Sequence, residues 1–162
     1  MNRTIIILAI FMFICPVFAR TKGTKFRFGA NSSLIFENGN AYPVIGFTAG
    51  YYPVKFLSLE GSGEYVFRND YKEINAPLTV NFIYPTKYFS PYAGLGVVYH
   101  THLYSDHNDY SFGGRLKFGS NVFNARGSAG SLEISYDLPD FRGSRGRWYI
   151  TGRFDQNFEI GF

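Results

Sequence analysis

The C-terminal part of the chain alternates strictly between two kinds of position. From Trp148 to Phe162, most residues of one parity are apolar or aromatic, whereas the other parity carries every charge of the segment. Successive side chains of a β-strand point to opposite faces, so a period of two predicts a strand whose two faces meet different surroundings. We therefore predict a long amphipathic strand over residues 147–162.

The same period recurs along the chain, with no helical periodicity of useful length after the N-terminal segment. Asn38-Gly39 predicts the first turn, Pro77 predicts an irregularity within its strand, and residues 101–110 predict a polar loop. Together with the last strand we predict eight strands, over residues 25–36, 43–52, 57–67, 73–84, 91–100, 111–123, 131–138 and 147–162.

The apolar face of these strands is too bulky to point inward. It carries seventeen Phe, Tyr and Trp residues and no Asp, Glu, Lys or Arg. The interior of an eight-stranded barrel is just wide enough to be filled by side chains, so these rings belong outside. A Lys or Arg facing lipid at mid-bilayer would cost about 2–4 kcal/mol, which agrees with the absence of charge. We predict an all-β fold, an eight-stranded antiparallel up-and-down transmembrane β-barrel.

The opposite face places charges of both signs in a narrow lumen. Buried charges must be paired, so we predict an ion-pair network that closes the lumen. This makes a channel less favoured, although a narrow porin-like conduit for small solutes remains an alternative. The predicted network comprises Lys25, Arg27, Glu60, Glu64, Arg115, Lys117, Glu133, Asp137, Arg153, Asp155 and Glu159.

The N-terminal residues do not belong to this pattern. Arg3 precedes an apolar run that is too short for a membrane helix, and the run ends near Ala19, which predicts a secretory signal peptide over 1–19 and a barrel domain over 20–162. Cys15 follows the bulky Ile14, which argues against a lipid-modified cysteine. Without Arg3, 15 basic and 12 acidic residues leave a net charge of +3, too mild to indicate nucleic-acid binding.

Two groups of polar residues could carry chemistry. His100, His102 and His107 lie near Asp106 and Asp109, but their spacing matches no metal motif, and we interpret them as a solvated loop. The last loop contains an arginine cluster, for which we predict contact with an anionic surface such as lipopolysaccharide phosphate. This cluster consists of Arg142, Arg145 and Arg147.

With its signal peptide and strand pattern, the chain resembles the small outer-membrane β-barrel proteins of the opacity-protein and eight-stranded membrane-anchor type. The resemblance is carried by residues 75–80, residues 90–96 and the C-terminal pattern of Phe158, Ile160 and Phe162. It implies a location in the cell outer membrane, contact with outer-membrane lipid, and recognition of the C-terminal pattern by the barrel-assembly machinery. Asn157 departs from the family, which commonly has Gly at that position.

This fold hosts several functions, so the resemblance specifies the architecture better than the activity. We expect a structural or surface-interaction role in the cell envelope, a monomer, and no enzymatic activity, metal or cofactor. A lipid A-modifying enzyme is a third possibility after the conduit. Deacylases of this kind carry His-x-Ser-Asn late in the barrel, and the matching residues 136–140 contain neither His nor Ser.

Overall fold

The chain folds into eight antiparallel strands that form one closed barrel. The computed structural model describes residues 26–54, 56–86, 89–125, 127–140 and 146–158, so the predicted signal peptide lies outside the described residues. The strands are β1 (Phe26–Glu37), β2 (Asn40–Val54), β3 (Leu57–Phe67), β4 (Lys72–Ile83), β5 (Ser90–Leu103), β6 (Asn108–Ala125), β7 (Ser128–Leu138) and β8 (Arg147–Phe158). The predicted fold class and strand number are confirmed.

Closure depends on pairing between the first and last strands. The ladder of β1 with β8 runs from Phe26–Phe158 to Phe36–Trp148, and each other strand pairs with its neighbours in sequence. No strand therefore has an unpaired edge, which is the condition for a sheet surrounded by lipid. Among the described residues, no helix is long and apolar enough to cross a membrane.

The turns lie at the two ends of the barrel. The turns after β1, β3 and β5, the end of β7 and the start of β8 form what we call the loop end, and the start of β1 and the last described residues of β8 lie at the opposite, terminal end. The first turn is the predicted Asn38-Gly39, and both residues have positive φ angles, +51° and +82°. A two-residue hairpin turn with this backbone favours the Asn-Gly sequence.

The polar loop predicted over residues 101–110 is shorter than expected. Thr101 pairs with Tyr110, and His102 pairs with Asp109, so β5 continues to Leu103 and β6 begins at Asn108. The rings of Tyr99 and Tyr110 stack across these strands at 6.0 Å. Backbone pairing and this ring contact extend the ladder past residues whose side chains are polar.

The ladder of paired residues between β3 and β4 is interrupted beside Pro77, as predicted. The ladder between β3 and β4 pairs Gly61 with Leu78 and Glu64 with Asn75, and it has no paired residues between these positions. Proline has no backbone N–H to donate, so the ladder on this side is broken there. On the other side, Pro77 still has Val98 of β5 as its partner.

The two faces of the sheet differ as the alternation predicts. Large apolar side chains point outward on every strand, and Phe47 is 68% exposed. The inward parity is buried and mostly polar, as in Asp137 and Asn75, which are 0% exposed. Gln156, the polar exception on the outward face, pairs with Ser128 at the start of β7, close to the terminal end of the barrel.

Trp148, the single tryptophan of the sequence, reports directly on the outward face. It is 54% exposed, whereas its neighbour Tyr149 points inward and is 1% exposed. We expect brominated lipids to quench its fluorescence strongly in refolded protein, because the ring meets the acyl chains. As a control, Trp148→Phe combined with Tyr149→Trp should be quenched far less, and equal quenching of the two proteins would contradict the assignment of faces.

Candidate functional site in the barrel lumen

The described part of the lumen contains three clusters of charged side chains, stacked along the barrel. The central cluster consists of Glu64, Arg115 and Asp137. The terminal cluster consists of Arg27, Glu60, Lys117, Glu133, Arg153 and Asp155, and the loop-end cluster consists of Glu37, Arg68, Glu73 and Arg147.

Arg115 of β6 organises the central cluster by holding two carboxylates at once. Its Nη1 and Nη2 donate to Glu64 of β3 at 2.6 and 3.0 Å, and its Nε and Nη2 donate to Asp137 of β7 at 2.6 and 2.8 Å. The guanidinium also lies 4.7 Å from the ring centre of Tyr149. The planar fork of arginine suits such paired contacts, which lysine could not reproduce.

Glu60 of β3 is the centre of the terminal cluster. Its carboxylate pairs with Lys117 of β6 at 2.6 Å and with Arg153 of β8 at 2.9 Å. Tyr52 donates a hydrogen bond to the same carboxylate at 2.9 Å. A buried carboxylate that accepts several charged hydrogen bonds holds its partners firmly in place.

The remaining members of the terminal cluster extend from these contacts. Lys117 also lies 3.3 Å from Glu133, which accepts a hydrogen bond from Tyr92 at 2.9 Å. Arg153 pairs with Asp155 at 2.9 Å. Arg27 donates to Asn121 at 3.1 Å, and its guanidinium lies over the ring of Tyr52.

The loop-end cluster joins two carboxylates with two guanidinium groups. Arg68 pairs with Glu37 and with Glu73, each at 2.6 Å. Arg147 pairs with Glu37 at 2.8 Å and also with Glu73. Both carboxylates are therefore shared by both cations, and the cluster is neutral as a unit.

An apolar layer connects the loop-end cluster to the central cluster. Ile35, Val44, Val66 and Tyr149 pack together in it and are almost fully buried. Val66 is the strand partner of Glu73, and the ring of Tyr149 covers Arg115. The layer lowers the access of water to the ion pairs on both sides of it, which strengthens them.

The structure places the predicted lumen residues as follows. The nine that it describes all face inward, and eight of them form ion pairs, while Arg27 has the contacts given above. Lys25 and Glu159 lie outside the described residues. The eight with ion pairs are Glu60, Glu64, Arg115, Lys117, Glu133, Asp137, Arg153 and Asp155.

The prediction for Arg147 as a surface contact was wrong. Arg147 is the first residue of β8 and shares its inward parity with Tyr149, so its side chain enters the lumen and the residue is only 5% exposed. Parity alone could have identified Arg147 and Glu73, whereas Arg68 lies on a turn and carries no such signal. Arg142 and Arg145 lie outside the described residues.

The histidines do not form the predicted solvated loop either. His100 and His102 belong to β5 and face the lumen, and only His107 lies in the turn, beside Asp106 at 2.7 Å. Asn75 donates to the Tyr149 hydroxyl, so its amide oxygen is free to accept from Nδ1 of His100 at 2.7 Å. Within the described ranges, no group of three or more His, Cys, Asp or Glu side chains is arranged to hold a metal ion.

Of the residues predicted as an assembly signal, the structure describes one. Phe158 ends β8 with its ring 50% exposed and contacts Phe28 edge to face. Ile160 and Phe162 lie outside the described residues. Recognition of this pattern by the assembly machinery stays a prediction.

Two side chains in the turn between β3 and β4 have pKa values above their ordinary values. Burial alone would lower the pKa of Arg68, but Glu73 and Glu37 raise it above its ordinary value. Burial raises the pKa of the Tyr71 phenol to about 12, against the opposing influence of Arg68. Arg68 therefore keeps its charge under all ordinary conditions.

Replacing Arg115 tests how much the central cluster contributes. Arg115→Met should lower the free energy of unfolding by about 3–5 kcal/mol, because it leaves two buried carboxylates without a cation. Combining it with Glu64→Gln and Asp137→Asn should restore most of this loss, since no buried charge then remains unpaired. Urea unfolding followed by Trp148 fluorescence measures both, and equal instability of the two variants would assign the effect to packing.

Known structures share this architecture at low sequence identity. The N-terminal β-barrel domain of OprF from Pseudomonas aeruginosa has a TM-score of 0.65 and 13% identity, covering 82% of this chain and 97% of that one. Neisserial surface protein A gives 0.63 and 11%, with coverages of 82% and 96%. Ail of Yersinia pestis, in complex with the heparin analogue sucrose octasulfate, gives 0.60 and 12%, with coverages of 83% and 97%.

A further similar structure is that of an enzyme. The outer membrane enzyme PagL has a TM-score of 0.52 and 10% identity, covering 80% of this chain and 97% of that one. No protein-family model and no curated protein matches the chain. The similarity establishes the fold: the chain has the closed eight-stranded architecture of the small outer-membrane β-barrels, and its exposed apolar belt agrees with the predicted location in the cell outer membrane.

Proposed function

We propose that the protein is an integral outer-membrane barrel with a structural or surface-interaction role, and that its lumen is closed to ions. The observation that carries this proposal is that ion pairs cross the lumen between strands that are not neighbours. Arg147 of β8 reaches Glu73 of β4, which lies on the opposite side of the eight-membered ring of strands. Arg115 connects β6 to β3 and β7, and Arg153 connects β8 to β3. We call these three arginines and their carboxylates the plug.

The plug supports closure because opening it is costly. Its charged side chains are largely buried, and separating a buried pair costs about 3–5 kcal/mol when the partners remain uncompensated. An ion crossing the barrel would have to separate pairs at three successive levels. Each level also ties together strands that are not neighbours, so the same contacts support a structural role for the barrel.

The surface-interaction role rests on the loop end. The turns after β1, β3 and β5 are short, and the longest connection there is 139–146, which contains Arg142 and Arg145. We propose that these two arginines contact phosphate groups of outer-membrane lipid, including lipopolysaccharide, and that the barrel acts as a monomer. Arg147 is excluded from this contact by its place in the lumen.

A narrow conduit is the second candidate, and one observation favours it. Asn31 Oδ1, Ser131 Oγ and Ser135 Oγ are buried and have no protein partner. Buried polar atoms of this kind are usually satisfied by ordered water, so these three atoms are the places where water would bind in the lumen. Water between closed ion pairs is not a continuous path, and the conductance of the protein separates the two proposals.

A lipid-modifying enzyme is the third candidate, and the geometry gives it little support. Such chemistry needs a nucleophile and a base on the face that meets lipid. His100 and His102 face the lumen, and His107 lies in a turn. No histidine therefore stands on the outward face of a strand.

Conductance is the direct test of the plug. We expect refolded protein in planar bilayers to give no stepwise current at neutral pH, because the charged side chains are already paired across the lumen. Arg115→Met combined with Glu64→Gln and Asp137→Asn removes the ion pairs of the central cluster. This variant is compared with the unmodified protein to detect an ion path that those ion pairs block. Regular current steps from the unmodified protein would favour the conduit instead.

Binding to lipopolysaccharide tests the surface role. Arg142→Ser combined with Arg145→Ser should weaken binding of the detergent-solubilised protein by about 2 kcal/mol, at about 1 kcal/mol for each arginine near an anionic surface. Calorimetric titration at low salt measures the change. Lys72→Ser, which removes an exposed charge from the β3–β4 side, serves as the control, and an equal effect of both changes would contradict the assignment to the last loop.

A further inference from the structure

Arg68 differs from the other ion-paired residues of the lumen because it is not on a strand. It follows β3 in the turn of residues 68–71, yet its side chain is only 6% exposed. A turn residue at the loop end would normally extend into solvent. Arg68 instead folds back over the mouth of the barrel.

Arg68 contacts residues from several strands around the loop-end opening of the barrel. Its guanidinium pairs with Glu37 at the end of β1 and with Glu73 near the start of β4. It lies 4.2 Å from the ring centre of Tyr42 on β2 and 5.2 Å from that of Tyr71 in its own turn. Arginine favours this combination of carboxylate bonds and aromatic stacking.

The aromatic contacts continue from Arg68 to the neighbouring turn. The ring of Tyr71 lies 4.8 Å from that of Tyr104 and 5.4 Å from that of His102. Tyr104 in turn stacks on His107 at 4.7 Å. The turns after β3 and β5 are thus joined above the lumen, with Arg68 at the point where they meet the ion pairs.

Beneath Arg68 lie inward-facing side chains, some with polar atoms that have no protein partner. They include Val66, Asn75, His100 and His102, and the central cluster around Arg115 lies below them. Nε2 of His100 and Nε2 of His102 are both buried without a hydrogen-bond partner. Since His100 donates through Nδ1, its Nε2 is an acceptor that needs a donor from water or a small solute. We call the part of the lumen that these four side chains line the loop-end compartment.

The ion pairs of Arg68 are easier to release than those of Arg115. If Arg68 swings outward, Arg147 still pairs with both Glu37 and Glu73. If Arg115 leaves, Glu64 and Asp137 lose a cation that they share. Turn residues also open locally at low free energy, because no ladder of backbone hydrogen bonds holds them.

We propose that Arg68 is a releasable latch that opens the loop-end compartment to the exterior while the lumen below stays closed. The proposal rests on the proposed function, since the closed floor is part of the plug. An opened latch gives water and small polar solutes access to His100 and His102 without making a pore. The barrel then has one permanent barrier in its centre and one conditional barrier at its mouth.

Cysteine labelling can test the latch, because the only cysteine of the sequence is Cys15, within the predicted signal peptide. Three single-cysteine proteins are compared in micelles with a charged, water-soluble maleimide. Val66→Cys reports on the compartment and Ser131→Cys on the lumen beyond the central cluster, both from fully or nearly fully buried positions. Asp106→Cys is the positive control for the reactivity of the maleimide, because the side chain of Asp106 is 80% exposed.

Each cysteine is combined with Arg68→Gln, and with Lys72→Gln as a control that removes a nearby exposed charge. We expect Arg68→Gln to increase the labelling rate of Val66→Cys by about tenfold or more, because the lost charged hydrogen bonds favour the open turn. Labelling of Ser131→Cys and Asp106→Cys should not change, and Arg68→Gln should still conduct no ions. Arg68→Lys, which keeps the charge, should give an intermediate rate and replaces Arg68→Gln if that variant does not refold.

The outcomes separate the latch from the plug. An unchanged rate for Val66→Cys in the Arg68 variants, or an equal increase with Lys72→Gln, overturns the latch and leaves the proposed function standing. Faster labelling of Ser131→Cys, or current steps from Arg68→Gln, shows that the floor is open and overturns the closed plug.

Discussion

The structure depends on one constraint: a lipid-facing sheet must pair all its backbone groups and must expose only apolar side chains. Pairing of β1 with β8 satisfies the first condition, and the outward Phe, Tyr, Leu and Ile side chains satisfy the second. The charges in the middle of the strands are then forced into a lumen that is only as wide as a few side chains. The charges remain there because each is paired with a charge of opposite sign, as Arg115 is with Glu64 and Asp137.

The three clusters respond differently to perturbation because they are built from different elements. The central and terminal clusters use strand residues only, so the barrel fixes the backbone positions of all their members. The loop-end cluster includes Arg68 from a turn, and Arg147 duplicates its contacts with both carboxylates. A barrel can therefore be rigid and closed in the middle while its mouth keeps a side chain that can move.

Much of the fold can be predicted from local pattern, because the alternation within each strand assigns its residues to the two faces of the sheet. Trp148 and Tyr149 are neighbours, yet one is exposed on the outer face and the other lies over Arg115, as a period of two requires. Strand ends were harder to predict. The pairing of His102 with Asp109 extends β5 and β6 into a stretch whose polar composition indicates a loop, because backbone pairing does not depend on hydrophobicity there.

The sequence by itself determined the strand number, the outward face and most of the strand residues that share the lumen. Only the tertiary structure decided which of these charges meet. Glu64 and Arg115 are 51 positions apart, and Glu73 and Arg147 are 74 apart, so their contacts depend on closure and on the stagger between strands. A period of two gives the face of a residue but neither its height along the barrel nor its angle around it. For the same reason Arg68, on a turn without any period, could be placed over the lumen only by the folded structure.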